Sequence, residues 1–288
     1  MSGYDYIVTG SSGFIGRSLL GHLAFKYRDK KILAIDKAGP PPWVPSQPNV
    51  SFINADLVDV IGKILYEERK GAVTIHLAAV PDIKACQADP IFAINQNVEL
   101  LKKMLIGFSA SGPFLFVSSV AASYPTNVYG MTKLAAEVIC RAHGATVVRL
   151  NNVYGHGGRG APNIFVRNAL LGENIVIHSQ TASNTYNFVE VDDVSATLSK
   201  IADMRCEGGR FCVTGPKDCE ATSTDLAKIV IDETGSKSAV TLKPARIAVA
   251  GEPVKDDSFC NVYTKTSLRD GVRSLIVYER SKTAKAGK

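Results

Sequence analysis

Three side chains carry the reactive chemistry that this sequence offers. Tyr129 and Lys133 stand four apart in Tyr129-Gly-Met-Thr-Lys133, and Ser119 closes a strand-like run, Phe114-Leu-Phe-Val-Ser-Ser119. On a helix, residues four apart lie one turn from each other on one face. A lysine ammonium beside a phenol favours the phenolate and draws its pKa down from about 10. A phenol so tuned can exchange a proton with a hydroxyl or a ketone oxygen, and a serine at a neighbouring strand end can hold the same oxygen. Tyr-x-x-x-Lys is frequent by chance. Placed after a strand that ends in Ser119, the combination is specific.

A second constellation opens the chain. Thr9-Gly-Ser-Ser-Gly-Phe-Ile-Gly16 follows the apolar Tyr6-Ile-Val8 and leads into a helix-like pattern of Leu19, Leu20 and Leu23. Strand, glycine turn and helix in that order form a phosphate cradle, in which the helix N-terminus offers free N–H groups and partial positive charge. The spacing is Gly-x-x-Gly-x-x-Gly, and the alternative reading is an ordinary structural turn. Another apolar run, Ile32 to Ile35, ends at Asp36, about 20 residues past Gly16, where a carboxylate accepts hydrogen bonds from an adenosine ribose. A carboxylate there repels a 2′-phosphate and favours NAD over NADP; the neighbouring Lys37 weakens that preference.

The elements that must position these residues follow a regular rhythm. Apolar runs at Val50–Ile53, Val73–Leu77, Phe114–Val117 and Thr146–Leu150 alternate with helical patterns, one after Pro90 and one opened by Tyr129 with Leu134, Val138 and Ile139 on its expected core face. This predicts an α/β fold, a doubly wound parallel sheet of the Rossmann type with ligands at the C-terminal strand edges. His76 reads as a satisfied strand-end histidine. The proline-rich stretch around Trp43 reads as a stiff loop that Trp43 packs down, or lays over the cofactor's adenosine end. Beyond Gly155 the pattern is less regular. We expect a cofactor-binding domain over 1–155, with 186–204 returning to it and Asp192 or Asp193 capping the helix that starts there. We expect a small α/β substrate lobe over 156–185 and 205–280, and a disordered basic tail over 281–288.

Composition narrows the function classes. The chain has 288 residues, is 45% hydrophobic and carries a formal charge of +6, but Lys282, Lys285 and Lys288 in the tail supply half of that excess. No dense basic run with interleaved aromatics occurs elsewhere, so nucleic acid is not expected as a partner. The six cysteines show no zinc or C-x-x-C spacing and read as scattered reduced thiols; no metal is expected. With a strand starting within a few residues and no apolar run of transmembrane length, the reading is cytoplasmic, with no membrane partner.

In order and spacing, the chain resembles the extended short-chain dehydrogenase/reductases, in the NAD-dependent epimerase/dehydratase group that acts on nucleotide sugars. The matching stretches are Thr9 to Gly16, Asp36, Ala55-Asp-Leu57, His76-Leu-Ala-Ala79, Asn97-Val98, Phe116-Val-Ser-Ser119, Tyr129 to Lys133, Arg149-Leu-Asn-Asn-Val-Tyr-Gly155 and Phe188-Val-Glu-Val-Asp-Asp-Val194. The resemblance implies that Gly10, Gly13 and Gly16 cradle the NAD pyrophosphate, with amides from Phe14 and Ile15. It implies that Asp36 holds the adenosine ribose, Asp56 and Leu57 meet the adenine edge, Ala78 lies along the cofactor and Asn97 supports its site. Ser119 would hold the substrate oxygen, Tyr129 would exchange its proton, and Lys133 would bind the nicotinamide ribose. Asn152 would face a substrate diphosphate, and a homodimer would form through the helices of Asn97 and Tyr129.

The departures shape the expected activity. The segment between Ser119 and Tyr129 is short, with Tyr124-Pro125 as a remnant of the family's longer loop. Val120-Ala121 stands where 4,6-dehydratases carry an acidic pair, which disfavours that reaction. Tyr186-Asn187 replaces the usual Arg-Asp, leaving Arg159 or Arg167 as candidate phosphate ligands. The leading expectation is a nucleotide-sugar epimerase working through a transient ketone. The alternatives are a dehydrogenase or reductase of a ketosugar or small carbonyl compound, and a non-catalytic NAD-binding regulatory protein.

Overall fold

The apolar runs become parallel strands buried on both faces, except at Val50–Asn54, where the edge strand stays partly exposed. The computed structural model describes residues 3–62, 71–106, 112–179, 182–244 and 258–286, with side chains to 282. It divides into two compact units, the first formed by 1–150, 195–212 and 248–260 and the second by 151–194, 213–247 and 261–288.

In the first unit, β1 (Tyr6–Thr9), β2 (Ile32–Asp36), β3 (Val50–Asn54), β4 (Val73–His76), β5 (Phe114–Ser119) and β6 (Thr146–Leu150) line up in the order β6-β5-β4-β1-β2-β3. Every adjacent pair among them is parallel, with Ile7 level with Leu33 on one side and Thr74 on the other. The sheet reaches eight strands through β10 (Arg210–Thr214) beside β6 and β13 (Cys260–Tyr263) beyond it. The order in which successive strands are added reverses between β1 and β4, and ligands of such sheets bind at that crevice. Among the described residues its helices are α1 (Phe14–Lys26), α2 (Leu57–Val60), α3 (Ile83–Ala88), α4 (Pro90–Ile94), a π turn at Asn95–Glu99, α5 (Leu100–Ile106) and α6 (Val128–Ala142). Ile7, Leu33, Ile35, Leu101, Phe116 and Val147 fill the core. Each such side chain contributes about 1.5–3 kcal/mol by leaving water.

Asn127 starts α6, its side chain accepting from the Gly130 amide at 3.0 Å, and the chain leaves it through Gly144 at φ +71°. Its buried face is only in part the expected one, with Ile139 packed against the core as expected. Thr132, Lys133, Ala136, Glu137 and Cys140 point inward, whereas Val138 is 52% exposed and Met131 55% exposed. Lys133 and Glu137 find buried partners, so polarity does not exclude them from the interior. Trp43 packs its ring near Phe25 at 6.2 Å and lies over Gly21 of α1, holding the proline-rich loop down.

The second unit holds a three-stranded sheet, β11-β9-β7, and a parallel pair, β12 with β8. Its strands are β7 (Asn152–Tyr154), β8 (Ile175–His178), β9 (Thr185–Glu190), β11 (Glu220–Thr222) and β12 (Val240–Lys243). Helices α7 (Ala161–Leu171), α9 (Ser223–Thr234) and α10 (Leu268–Ala286) surround a core of Tyr154, Phe165, Phe188, Leu226 and Val272; α8 (Val191–Asp203) belongs to both divisions. Thr222 and Asp225 form a reciprocal capping box on α9.

Several expectations change here. The units divide after Leu150 and after Val194, where we expected 155 and a return over 186–204, because β7 pairs with β9 (Asn152 level with Phe188) inside the second unit. Glu190, and neither Asp192 nor Asp193, receives the first amides of α8, at 2.6 Å from Asp192 N. Asp193 instead accepts from the Lys265 and Thr266 amides. Residues 281–286, expected as disordered tail, continue α10; Lys282 pairs with Glu279 at i,i+3, a spacing that supports a helix.

Candidate active site

The glycine loop is shaped by backbone contacts that leave no room for side chains. Gly10 sits at φ +70°, and a Cβ there would lie 2.6 Å from the Ala78 amide nitrogen. A Cβ on Gly16 would lie 2.0 Å from the Gly10 carbonyl oxygen, so α1 touches the loop through its own backbone. Gly13 donates to the Gly10 carbonyl (3.1 Å) and is the N-cap of α1, with no side-chain cap and no acid in the first turn. The amides of Phe14 and Ile15 follow it. Ser11 Oγ is buried in this turn without a hydrogen-bond partner among the described residues. The uncapped N-terminus of α1 and the buried Ser11 hydroxyl are donors that a bound pyrophosphate would accept from, so the residues present fit a dinucleotide.

Asp36 leaves the tip of β2 beside this loop, accepting from the Ser12 amide (2.9 Å) and the Ala38 amide (2.8 Å). Asn54, which the sequence reading passed over, binds the carbonyls of Asp36, Lys37 and Ala38 through its Nδ2 at 2.9–3.1 Å and fixes that turn. Asp56 caps α2 through the Val58 amide and lies 3.6 Å from Lys37; Leu57 starts α2 and is buried. Asn97, buried in the π turn, accepts from Val80 N (2.7 Å) and donates to Val80 O and to Thr132 Oγ1 (3.1 Å). It therefore ties the segment after β4 to the turn of α6 between Tyr129 and Lys133.

The strands bring the glycine loop and the segment of Ser119, Tyr129 and Lys133 to one region. Thr9 Oγ1 lies 2.7 Å from His76 Nδ1, the His76 ring stacks on Phe116 at 6.1 Å, and the Lys133 ammonium lies over the same Phe116 ring at 4.8 Å. Burial first, and Lys133 second, push His76 down to about 3, so it is neutral near pH 7 and stays a strand-end residue. Lys133 Nζ donates to the Val117 carbonyl at 3.0 Å and lies 5.9 Å from the centre of the Tyr129 ring. Burial lowers Lys133 to about 8.

Tyr129 corrects one expectation. Its phenol is pushed above the ordinary tyrosine value, because burial opposes the phenolate more than anything nearby favours it. The opposing pull comes from a hydrogen bond with the Ser119 side chain, while Cys86 of α3 adds to the rise. Lys133 directs its hydrogen bond at Val117 and not at the phenol. Ser119 also accepts from the Ala121 amide (3.2 Å) and so starts the short turn Val120–Ala122.

The residues matched to substrate binding belong to the second unit. Asn152 is exposed on β7 and donates to the Asn187 carbonyl at 3.1 Å. Arg159 is exposed in the loop before α7, and Arg167 is exposed on α7.

A model of the NAD dependent epimerase/dehydratase family matches residues 6–211. The UDP-glucose 4-epimerase of Mycolicibacterium smegmatis is 25% identical, over 96% of this chain and 99% of that protein. A trifunctional UDP-glucose 4,6-dehydratase/UDP-4-keto-6-deoxy-D-glucose 3,5-epimerase/UDP-4-keto-L-rhamnose-reductase of Arabidopsis thaliana is also 25% identical, over 68% of this chain, but the match spans only 35% of that longer protein. The structure of a Bacillus cereus UDP-glucuronic acid 4-epimerase in complex with UDP-glucuronic acid and NAD superposes with a TM-score of 0.80 at 21% identity, covering 96% of this chain and 99% of the other. With the family model covering more than half its length, the chain belongs to the NAD-dependent epimerase/dehydratase family.

Proposed function

We propose that this protein is an NAD-dependent epimerase of a nucleotide sugar. The observation that carries this reading is Tyr129 one helical turn from the buried Lys133, whose ammonium lies 5.9 Å from its ring, with Ser119 on a strand end drawing the phenol down. Gly10, Gly13 and Gly16 with the Phe14 and Ile15 amides would hold the pyrophosphate, Asp36 the adenosine ribose, Asp56 and Leu57 the adenine, and Lys133 the nicotinamide ribose. NAD bound there would supply a reversible hydride acceptor, and epimerisation requires the hydride to return to the opposite face of the ketone formed at a sugar carbon. Tyr129 takes the proton of the hydroxyl on that carbon and gives it back, while Ser119 holds the same oxygen. The substrate diphosphate is assigned to Asn152 with Arg159 or Arg167.

Val120 and Ala121, apolar where an elimination needs an acid, favour epimerisation over 4,6-dehydration. A homodimer through the helical run that holds Asn97 (α4, the π turn and α5) and through α6 is part of the same reading. Ile91 (67% exposed), Met131 and Val138 present an apolar surface there.

The test is to incubate the protein and NAD with UDP-glucose and UDP-glucuronic acid, separating products while following NADH absorbance. Interconversion of epimers without net NADH is expected, and Tyr129→Phe should abolish it while NAD still binds. Stoichiometric NADH would establish a dehydrogenase instead. Turnover unaffected by Tyr129→Phe would refute its acid–base role.

A further inference from the structure

A charged pair is buried behind the catalytic strand end and has no part in the proton transfer. Arg149 of β6 donates from Nε to Glu137 Oε1 (2.9 Å) and from Nη2 to Glu137 Oε2 (2.8 Å), a bidentate fork. The Glu137 side chain is 0% exposed and that of Arg149 5%. Taking two charges out of water is costly, and an apolar pair of similar volume often serves stability as well or better. Stability alone is therefore a poor reason for these residues.

The remaining hydrogen bonds of the pair show what else it does. Ser118 Oγ donates to Glu137 Oε1 at 2.6 Å, and Arg149 Nη1 donates to Ser123 Oγ at 3.0 Å. Ser118 and Ser123 bracket the segment Ser119–Ala122. The Phe259 ring lies 3.9 Å from the guanidinium carbon and covers its face. Glu137 also stands one turn past Lys133 and two turns past Tyr129 on the inward face of α6. One rigid helix thus carries both the phenol and the acid that grips the residue before Ser119.

We propose that Glu137 and Arg149 are positioning residues. By holding Ser118 and Ser123, they keep the Ser119 hydroxyl in hydrogen-bond reach of the Tyr129 phenol. No apolar pair could supply this, because it could not direct hydroxyls at both ends of a turn. The inference rests on the acid–base role proposed for Tyr129. The groups that face the phenol are Ser119 from β5, Cys86 from α3 and, on its own helix, Lys133. Of these, Ser119 is the one whose hydrogen bond draws the phenol down, so releasing it lets burial and Cys86 push the phenol higher.

Ser123→Ala tests this without breaking the buried fork. We expect kcat to fall about 10-fold with the sugar-nucleotide KM within about 2-fold, since only the reacting geometry is disturbed. A rate that needs the phenolate should have its low-pH limb moved up by about half a pH unit. Ser123→Thr keeps the hydroxyl and should restore both. Glu137→Gln, measured at a temperature where circular dichroism shows it folded, should move the same quantities further. The carbon-13 shift of Tyr129 Cζ, assigned with Tyr129→Phe, follows the phenol's hydrogen bond and ionisation without turnover. A protein that turns over no nucleotide sugar would sink the epimerase reading and leave this shift to decide the positioning role. If Ser123→Ala and Glu137→Gln lose stability but leave the shift and its pH midpoint at wild-type values, the pair is only structural and the proposal is overturned.

Discussion

Replacing Lys133 by methionine should change how stability depends on pH, and the sign follows from its burial. Lys133 titrates at about 8 in the folded protein, against an ordinary lysine value of 10.5. Between those values the unfolded chain holds a proton that the native lysine has lost, so wild-type stability rises with pH there. Below about pH 8 both states carry the charge, and the full cost of burying it, about 3 kcal/mol, is present. The thioether of the Lys133→Met variant has no such proton. Integrating the two titrations, the wild type should gain about 2 kcal/mol on the variant between about pH 7 and pH 9.5. The lost hydrogen bond to the Val117 carbonyl shifts the variant's curve by a constant and leaves this difference intact. Urea unfolding of both proteins at several pH values measures it through the midpoint and slope. A separation between the curves that stays level within about 0.5 kcal/mol, close to the scatter of such extrapolations, would refute the claim that burial holds Lys133 low.

Two further outcomes follow from the geometry. Gly16→Ala sets a Cβ against the Gly10 carbonyl, which is backbone and cannot swing aside; NAD affinity measured by titration calorimetry should fall about 10-fold to 100-fold, and wild-type affinity would show that the loop does not bind the pyrophosphate. Val138→Glu places a charge on the exposed apolar face of α6, so light scattering should show monomers while stability changes by no more than about 0.5 kcal/mol; an unchanged mass would exclude this face as the dimer contact.

Features set by neighbours along the chain were legible in the sequence alone. The spacing of Gly10, Gly13 and Gly16 required a turn that brings backbone onto backbone, and Asp36 fell at the end of its strand. Tyr129 and Lys133 had to share a helix face, and continuous apolar runs had to become covered parallel strands. Local sterics and helical periodicity dictate these, wherever the segment lies in the fold.

The tertiary structure decided how those residues meet. Nothing within a few residues of Lys133 indicates that its ammonium turns to the Val117 carbonyl, or that burial raises Tyr129 against the pull of Ser119. The inward face of α6 was misread from its apolar residues, because Glu137 is buried by an arginine on another strand and Val138 is left outside. A charged residue at helical spacing from Tyr129 and Lys133 was the available signal, but its partner Arg149 lies on β6, outside the helix. Desolvation and ion pairing depend on which atoms surround a group in space, and that arrangement exists only once distant strands and helices have packed.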